Sequence, residues 1–550
     1  MDFKKLFIYS KDTGKNPEQL EHSAPVYQDN NPGKNSYIKN NIHHKSSYTY
    51  TTGLVSPKLS ENLDFIKDAF ETSKNFDLVV REFEISVKDT NIKAFLIFYD
   101  GLSNKEYINR DIMSPLMTKG QNLPPQDTPL EDIIYKRLLT QAPNSKTEKM
   151  ESIIEAVGFG NCAVFVDGCC CAFVADVKEW SSRSVGRPVS EAVLTGPQEA
   201  FCESLMPNIA LVRKILKDPN LIAENITVGT KSKTPCALMY INGITNISLV
   251  KETRRRLKSV DIEYIFSSTD VEMLIEESSL FPLPQLLKTE RPDRAASMLA
   301  NGKVIVMVQG SPFVLVLPAT ASDLAETAED NYVRTLEANF MRFIRIIGCA
   351  LALLLPGCFI SVVLYHHESI PTDLILAIEE SREQMPFPIV LELIIMILAF
   401  ELIKEASIRV PDPIGSTLGI VGGLILGQSA VSANIASPLL IIIVSISALG
   451  AFAAPSVSIS RALSVLQFPF IFLGSIAGFL GIALGIFVGI IVLASMSSFG
   501  VPYLSVDNFE SGSVIIPPIW KRENRPHSLH TQNSRKQPHI SRKWKGDDNL

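Results

Sequence analysis

The sequence lacks the short motifs by which many nucleotide-dependent and hydrolytic enzymes can be recognised. It contains no GxGxxG fingerprint and no phosphate-binding P-loop, and only 8 histidines occur among its 550 residues. No Ser/His/Asp set stands in a supporting sequence context. These absences predict that the chain is not an enzyme and that it carries no cofactor.

Charge and cysteine content disfavour further classes. The formal net charge of -6 and the pI of about 5.9 give no overall case for nucleic-acid binding. The chain has 8 cysteines and no CxxC pair. A metal site is one interpretation of the consecutive Cys169, Cys170 and Cys171, but small buried residues are favoured because free cysteine packs as a hydrophobe.

The first residues also lack the long apolar core of a secretory signal, so we expect the first half of the chain to stay in the cytoplasm. Apolar residues, in contrast, make up 46% of the chain, the mean hydropathy is +0.17, and the excess lies after Met341. The predicted fold is therefore an α/β cytoplasmic domain of two similar subdomains, followed by a polytopic α-helical membrane domain.

A glycine-turned hairpin ends each predicted subdomain. Apolar strands flank Asp167-Gly168 in the first, and residues 309–312 (Gln-Gly-Ser-Pro) in the second. Helices precede both hairpins, and this shared layout indicates a duplication. Ser60 is the expected cap of the first helix.

One predicted helix of the second subdomain carries a basic cluster. Its members are Lys251, Arg254, Arg255, Arg256 and Lys258. Two interpretations stay open, namely contact with anionic lipid head groups and a solvated helix face.

Composition divides the chain into six predicted segments. They are a polar leader (1–58), subdomain 1 (59–187), subdomain 2 (188–328), a linker helix (329–345), the transmembrane domain (346–505) and a basic cytoplasmic tail (506–550).

Five apolar stretches follow the linker. They are residues 346–364, 386–406, 414–430, 437–452 and 463–496. Lysines and arginines in the short loops place both termini in the cytoplasm, so the number of crossings is even. Six crossings result if the last stretch is a hairpin of two short spans, and four result if 414–430 is re-entrant and the last stretch crosses once. We prefer six, because four would place Arg461 outside.

Ionisable residues interrupt the second apolar stretch. Glu392 lies about two turns inside its outer end, and Glu401, Lys404 and Glu405 lie near its inner end. Such groups are costly at membrane depth and usually face a bundle interior or a water path. Glu392 and Glu401 are therefore candidate ion-path or gating residues. Pairing within the bundle is the structural alternative for Glu392, and snorkelling to the interface is the alternative near the inner end.

Gln428 and Asn434 follow in a glycine-rich apolar stretch. Their side-chain oxygens are candidate cation ligands, and hydrogen bonding between helices is the alternative. Glycines spaced three to four residues apart from Gly474 onward predict close helix packing in a bundle or an oligomer.

Several blocks of the sequence resemble the A subunits of GerA-type spore germinant receptors. They are LTGPQEAFCESLMPNIALVRKIL (194–216), TERPDRAASMLANGKVIVMVQGSPFVLVLPAT (289–320), PFPIVLELIIMILAFELIKEASIRVPDPIG (386–415), IVGGLILGQSAVSANIASPLLIIIV (420–444) and SFGVPYLS (498–505). The resemblance is collinear from about Ser60 to Ser505.

The resemblance implies a nutrient-responsive complex in the inner membrane of a dormant spore. Its partners would be a multi-spanning B subunit and a lipoprotein C subunit, and the A subunit would oligomerise in the lipid bilayer into a ligand-gated cation channel. The alternatives are a paralogue of a sporulation-stage complex, a secondary transporter with broken helices at its substrate site, and a non-conducting scaffold.

Overall fold

The computed structural model describes residues 53–87, 90–118, 130–139, 144–179, 186–278, 281–382, 385–409, 422–423 and 425–504. Most of the predicted leader, the predicted basic tail and residues 410–421 lie outside this set. Two five-stranded sheets with their helices form the sheet region, up to residue 331. Helices then form the helical region, residues 335–495.

The first sheet has the strand order β1-β2-β4-β5-β3, and all neighbours are antiparallel. Its strands are β1 (Leu78–Val87), β2 (Thr90–Tyr99), β3 (Asn144–Thr147), β4 (Cys162–Val166) and β5 (Ala172–Ala175). β4 and β5 form the first predicted hairpin, and Gly168 in its turn adopts a φ of 81°. Apolar clusters cover both faces, and Phe95 stacks on Phe165 in one of them.

The second sheet is also antiparallel and has the order β6-β7-β9-β10-β8. Its strands are β6 (Leu221–Val228), β7 (Thr234–Ile241), β8 (Leu287–Thr289), β9 (Val304–Val308) and β10 (Val314–Leu317). When the strands are matched in chain order, the two sheets have one topology. The similar layout expected from the sequence is thus present in the strand order.

Short helices pack on the two sheets. They are α1 (Leu59–Ala69), α2 (Lys105–Tyr107), α3 (Ser114–Thr118), α4 (Leu130–Ile133), α5 (Met150–Gly158), α6 (Leu205–Ile215), α7 (Ile247–Ser259), α8 (Ser268–Ile275), α9 (Pro292–Ala300) and α10 (Ala321–Ala325). The expected serine cap of α1 is wrong, because α1 begins at Leu59 and Ser60 lies inside it. Instead, the backbone N–H of Leu59 donates to Oδ1 of Asp167 at 3.1 Å, so the turn of the first hairpin caps the helix.

A buried ion pair joins the two halves of the sheet region. Nε of Arg213, on α6, donates to Oδ2 of Asp77 at 2.5 Å, and Nη2 donates to Oδ1 at 2.8 Å. Both side chains are almost fully buried, and Nη1 of Arg213 donates to the carbonyl oxygen of Leu221 at 2.9 Å. This bidentate pair fixes the chain just before β1 against the second sheet.

The helical region contains the four longest helices of the described chain and one shorter helix. They are α11 (Thr335–Tyr365), α12 (Thr372–Arg382), α13 (Ile389–Arg409), α14 (Pro438–Phe452) and α15 (Val457–Ser495). The first apolar stretch and residues 335–345 of the expected linker form one continuous helix, α11. By length and composition, α11 and α15 are apolar enough to cross a membrane. Helix α13 carries five charged residues, and α14 has only 15 residues.

The chain reverses direction within α15. Gly478 has a φ of 58° and a ψ of -142°, which interrupts the helix. A Cβ atom on Gly485 would lie 2.9 Å from the ring of Phe470, although a straight helix would separate these residues by about 22 Å. The last apolar stretch is therefore a helical hairpin. The hydroxyl of Tyr365 donates to the carbonyl oxygens of Ser475 and Ile476, both at 2.8 Å, and so holds its tip at the end of α11.

Glycines bring the helices into backbone contact. A Cβ atom on Gly450 of α14 would lie 2.4 Å from the carbonyl oxygen of Gly348 on α11. A Cβ atom on Gly474 of α15 would lie 2.7 Å from the carbonyl oxygen of Gly357 on α11. The close helix packing predicted from the glycine spacing thus occurs within one chain.

Candidate functional site

Glu392 is a buried carboxylate at the start of α13, with 1% of its surface exposed. Helix α13 begins at Ile389, so Glu392 lies in its first turn and not two turns inside, as the sequence had suggested. Pro386 and Pro388 account for the difference, because a proline disfavours helical geometry in the residue before it.

The N-termini of two helices meet at this carboxylate. Oε1 of Glu392 accepts a hydrogen bond at 2.5 Å from the backbone N–H of Ser437, the residue that caps α14. The carboxylate therefore lies at the N-terminal ends of both α13 and α14. Oε2 has no hydrogen-bond partner within the described residues. This second oxygen is a buried acceptor, the kind of group that can coordinate a cation.

Glu401 lies farther along α13, about 14 Å from Glu392 along the axis and nearly on the opposite face. Its Oε1 accepts a hydrogen bond from the hydroxyl of Ser464 on α15 at 2.7 Å. Nζ of Lys404 lies 3.6 Å from the same oxygen, and 3.3 and 3.4 Å from the hydroxyls of Ser464 and Ser460. Lys404 thus contacts α15 instead of extending to an interface, while Glu405 is exposed.

A small cavity lies beside Glu401, where α11, α13, α14 and α15 meet. Its polar lining consists of Glu401, Ser447, Ser464 and Gln467. All four side chains have partners: the hydroxyl of Ser464 donates to Glu401, that of Ser447 donates to the carbonyl of Ala352, and the amide of Gln467 donates to the carbonyl of Ser464. Carboxylate and hydroxyl oxygens in one small space can replace part of the water shell of a monovalent cation.

The other two candidate residues, Gln428 and Asn434, lie in the segment that precedes α14. The side chain of Gln428 is exposed on the helical residues 425–432. Asn434 follows this segment with a φ of 53°, in the turn that leads to α14. The described hydrogen bond to Glu392 comes from Ser437, three residues after Asn434. The structure thus pairs Glu392 with Ser437, and Glu401 with Ser464 and Lys404.

The family model described as Bacillus/Clostridium GerA spore germination protein matches residues 64–528. The chain belongs to the GerA family.

Curated relatives match this GerA-family chain over most of its length. Spore germination protein KA of Bacillus subtilis (strain 168) is 34% identical over 489 residues, which cover 88% of this chain and 89% of the relative. Spore germination protein A1 of the same organism is 33% identical and covers 88% and 96%. The uncharacterized membrane protein YfkQ, also from Bacillus subtilis, is 32% identical and covers 88% and 93%. These relatives support a role in spore germination and an association with a membrane.

One solved structure is also similar. It is the N-terminal domain of the A subunit of the Bacillus megaterium spore germinant receptor GerK3, which is 29% identical. The match covers 48% of this chain and 96% of that domain, with a TM-score of 0.39.

The basic cluster of α7 is largely used inside the GerA-family chain itself. Arg254 pairs with Glu224 at 2.7 Å, and Arg255 and Arg256 each pair with Glu252 at 2.8 Å. These pairs leave Arg254 and Arg255 partly buried and Arg256 buried, whereas Lys251 and Lys258 are exposed. Burial raises the pKa of Glu252, but the hydrogen bonds from Arg255 and Arg256 outweigh it and hold that pKa at about 2.

Two arginines of α11 attach the start of this helix to the sheet region. Nη2 of Arg342 lies 2.7 Å from Oε1 of Glu326, and Nη2 of Arg345 pairs with Oδ1 of Asp330. Arg342 and Asp330 are both nearly buried. The acidic and basic residues are visible in the sequence. Their pairing depends on the turn between Asp330 and Thr335, and sequence patterns did not predict that turn.

The cysteines show no metal-binding arrangement in the described part of the chain, where no group of three or more His, Cys, Asp or Glu could hold a metal ion. Cys169 and Cys171 are buried and Cys170 is exposed. Burial raises the pKa of the Cys169 thiol to about 12, which keeps it protonated at neutral pH. The placement agrees with cysteines that pack as small apolar residues.

Proposed function

We propose that this GerA-family chain is the A subunit of a nutrient-responsive spore germinant receptor and that it oligomerises into a ligand-gated cation channel. It would act in the inner membrane of the spore with both termini in the cytoplasm, beside a multi-spanning B subunit and a lipoprotein C subunit. Family membership supports the role in germination. The observation that carries the channel function is the buried Glu392, whose second carboxylate oxygen has no partner within the described residues.

Six crossings are part of the proposal: α11, α13, residues 414–430, α14 and the two arms of α15. Ile459, near the start of α15, and Leu493 and Met496, near its end, pack against one apolar cluster of the second sheet. Both ends of the α15 hairpin therefore lie on the side of the sheet region, which supports an even number of crossings. Its arms of about 20 and 17 residues are close to the length that a bilayer core requires.

The proposed ion path uses the two carboxylates of α13 in turn. Glu392 would hold a cation near one end of the helix, and Glu401 with Ser464 would hold one near the other. Nζ of Lys404 already contacts the oxygens of Glu401, Ser460 and Ser464, so its ammonium competes with a mobile cation for the same ligands. Gating would then be a shift between two packings of the bundle, biased by the partner subunits.

The test is cation release from spores that carry Glu392→Gln, with Glu405→Gln as the matched control. Both variants replace one carboxyl group of α13 with an amide, but Glu392 is buried and Glu405 is exposed. We expect normal protein levels in both, and nutrient-triggered release that is abolished or spontaneous in Glu392→Gln alone. Unchanged release in Glu392→Gln would contradict the path and favour a non-conducting scaffold.

A secondary transporter is the second candidate, because the helical backbone is broken beside Glu392. Residues 425–432 are helical, Asn434 has a positive φ, and α14 begins only at Pro438. Broken helices beside a buried carboxylate are typical of transporter substrate sites. Vesicles containing the purified chain distinguish the two functions: a transporter accumulates labelled nutrient, whereas a channel passes cations without accumulating it.

A further inference from the structure

The chain returns to the second sheet directly after α15. Ser497–Ser498 and Val501–Pro502 pair as two short antiparallel strands, β11 and β12, around a turn at Phe499 and Gly500. Ser498, Phe499, Val501 and Tyr503 are each at most 4% exposed. We call residues 497–504 the clasp. A segment attached to the last helix is thus buried in a subdomain whose strands end at Leu317.

Hydrogen bonds fix the clasp at the end of the second sheet. The hydroxyl of Ser498 donates to the carbonyl oxygen of Gln285 at 2.7 Å and accepts from the backbone N–H of Ala319 at 3.1 Å. The backbone N–H of Ala321 donates to the carbonyl oxygen of Tyr503 at 2.8 Å. The clasp thus pairs with backbone groups just before β8 and just after β10. Withdrawal of the clasp would leave these groups without hydrogen-bond partners, at a cost in free energy.

Glu277 holds the turn of the clasp. The hydroxyl of Ser497 donates to Oε2 of Glu277, and the backbone N–H of Gly500 donates to Oε1 at 3.2 Å. Arg256 pairs with the same carboxylate at 3.2 Å, and its Cζ lies 4.2 Å from the ring centroid of Phe499. The basic helix α7 is thereby connected to the end of the last helix.

The clasp contributes to the apolar cores on both faces of the second sheet. Tyr503 belongs to the cluster formed with α6 and α9, and Phe499 belongs to the cluster formed with α7 and α8. Alternate residues of β7, such as Leu238 and Met239, divide between these two clusters, so the clusters lie on opposite faces. The clasp therefore packs against both faces of the second sheet.

The turn is strained in a way that its burial explains. Phe499 has a φ of 50° and Gly500 has a φ of 79°. Two positive φ angles are the geometry of a type I′ turn, which favours Asn-Gly, and a bulky residue at positive φ is costly. Such strain persists only where the surroundings determine the conformation, and here the buried ring of Phe499 does so.

We infer that the clasp is a permanent mechanical joint: it stays closed while the helical region changes state, and it transmits movements of the second sheet to the last helix. Arg342 and Arg345 fix the start of α11 to the same part of the chain, so the first and last helices are both attached there. The effect on gating rests on the proposed channel function, whereas the joint itself does not.

The first experiment loosens the joint with Phe499→Asn. Asn-Gly suits the turn, so the hairpin can form while the ring and its contact with Arg256 are lost. We expect normal protein levels in the spore membrane and a nutrient-triggered cation release that is slower by roughly tenfold or more, a typical size for lost coupling between sites. Phe266→Asn is the control, because Phe266 is 76% exposed in the same subdomain, and it should release cations like the unmodified protein. Equal release in the two variants overturns the inference.

The second experiment locks the joint with Glu277→Cys and Ser497→Cys, in a Cys170→Ser background that removes the exposed native thiol. A short, reducible bis-methanethiosulfonate reagent should link the new pair, because the native side chains meet through a hydrogen bond while the shorter cysteines leave a gap that the reagent spans. A joint that never opens predicts release within about twofold of the reduced sample, which is a small coupling change. Loss of release on cross-linking, with recovery on reduction, would mean that the clasp must open, and the inference would be wrong.

Cross-linking of the purified full-length double variant separates this inference from the channel proposal, because it requires no conduction. The control pair is Ser497→Cys with Glu84→Cys, which lies on the first sheet. A high yield of cross-linked product for the Glu277 pair alone supports the joint. This result holds even if spores with the unmodified protein release no cations and the channel proposal fails. Equal yields for the two pairs would exclude the joint.

Discussion

The sheet region and the helical region are held together in opposite ways. In the sheet region, buried charges are paired, as in Arg213 with Asp77 and Lys303 with Asp323. In the helical region, backbones touch at glycines, as in Gly450 against Gly348. The difference follows from the surroundings, since a buried charge requires a partner, whereas helices in an apolar environment gain by approaching closely. Removing a group should therefore harm the first region, and adding one should harm the second.

The largest effect is expected for Asp77→Ala, which removes one partner of the buried pair. Arg213 would keep its charge without its carboxylate, and we expect the free energy of unfolding to fall by about 3–5 kcal/mol. Urea unfolding of the purified chain measures this loss.

Glu263→Gln is the control for that loss. Lys231 and Glu263 form an exposed pair, so this variant should cost less than about 1 kcal/mol. A similar small loss for Asp77→Ala would mean that water reaches Arg213 and that the interface between the two halves is not sealed.

Adding one methyl group in Gly450→Ala tests the helical region. The new Cβ would lie 2.4 Å from the carbonyl oxygen of Gly348, so α11 and α14 must separate, and we expect a loss of about 1–3 kcal/mol. Gly489→Ala is the matched control, because nothing lies within 4 Å of the added atom. It should be neutral or stabilising by up to about 1 kcal/mol, through better helix propensity. Thermal unfolding in detergent compares the two, and equal shifts would refute the close contact.

The helical region also contains paired polar groups, at the starts of its helices. Ser437→Ala tests one of them. The hydroxyl of Ser437 accepts from the backbone N–H of Leu440 at 3.3 Å. Its loss should cost about 1 kcal/mol in thermal unfolding, the usual value for an N-cap. No change would mean that the backbone N–H of Leu440 gains nothing from the serine hydroxyl.

The smallest expected effect is a loss of stability at low pH, when Glu252 becomes protonated. The pKa of Glu252 is held at about 2, below the value of about 4.3 for an unfolded chain. Its contribution to stability is therefore complete above about pH 4.3 and is lost as the pH falls toward 2. The group is about half-buried, so we expect less than about 1 kcal/mol. Glu252→Gln should flatten this part of the stability curve between pH 5 and pH 2, and a curve parallel to that of the unmodified protein would contradict the assignment.

The sequence was informative where a local pattern decides the structure. Both glycine-turned hairpins, the apolar helices and the packing glycines follow from spacing alone. The short strands β3 and β8 were missed because three or four residues give little periodicity. β6 was missed because polar Glu224 and Asn225 interrupt its apolar residues. Their positions depend on partners far away in the chain.

The candidate site could be predicted in part. Glu392 and Glu401 stand out in the sequence because charge is rare in an apolar helix. Their partners Ser437 and Ser464 lie 45 and 63 residues away and have no distinctive pattern. The clasp was harder still, because a hydrogen bond between Ser497 and Glu277 spans 220 residues. The sequence block SFGVPYLS resembles GerA-type A subunits, but only the folded chain shows that its residues pack into the second subdomain.

The clasp also imposes an order on biosynthesis. A ribosome finishes Leu317 about 180 residues before it makes Phe499, an interval of roughly 10–40 s at ordinary rates of synthesis. During that time the apolar cores on both faces of the second sheet lack their clasp residues, while helices α11 to α15 are synthesised. The sheet closes only after the last helix has left the ribosome, so a nascent chain whose helices are misplaced keeps exposed the apolar surface that chaperones and proteases recognise.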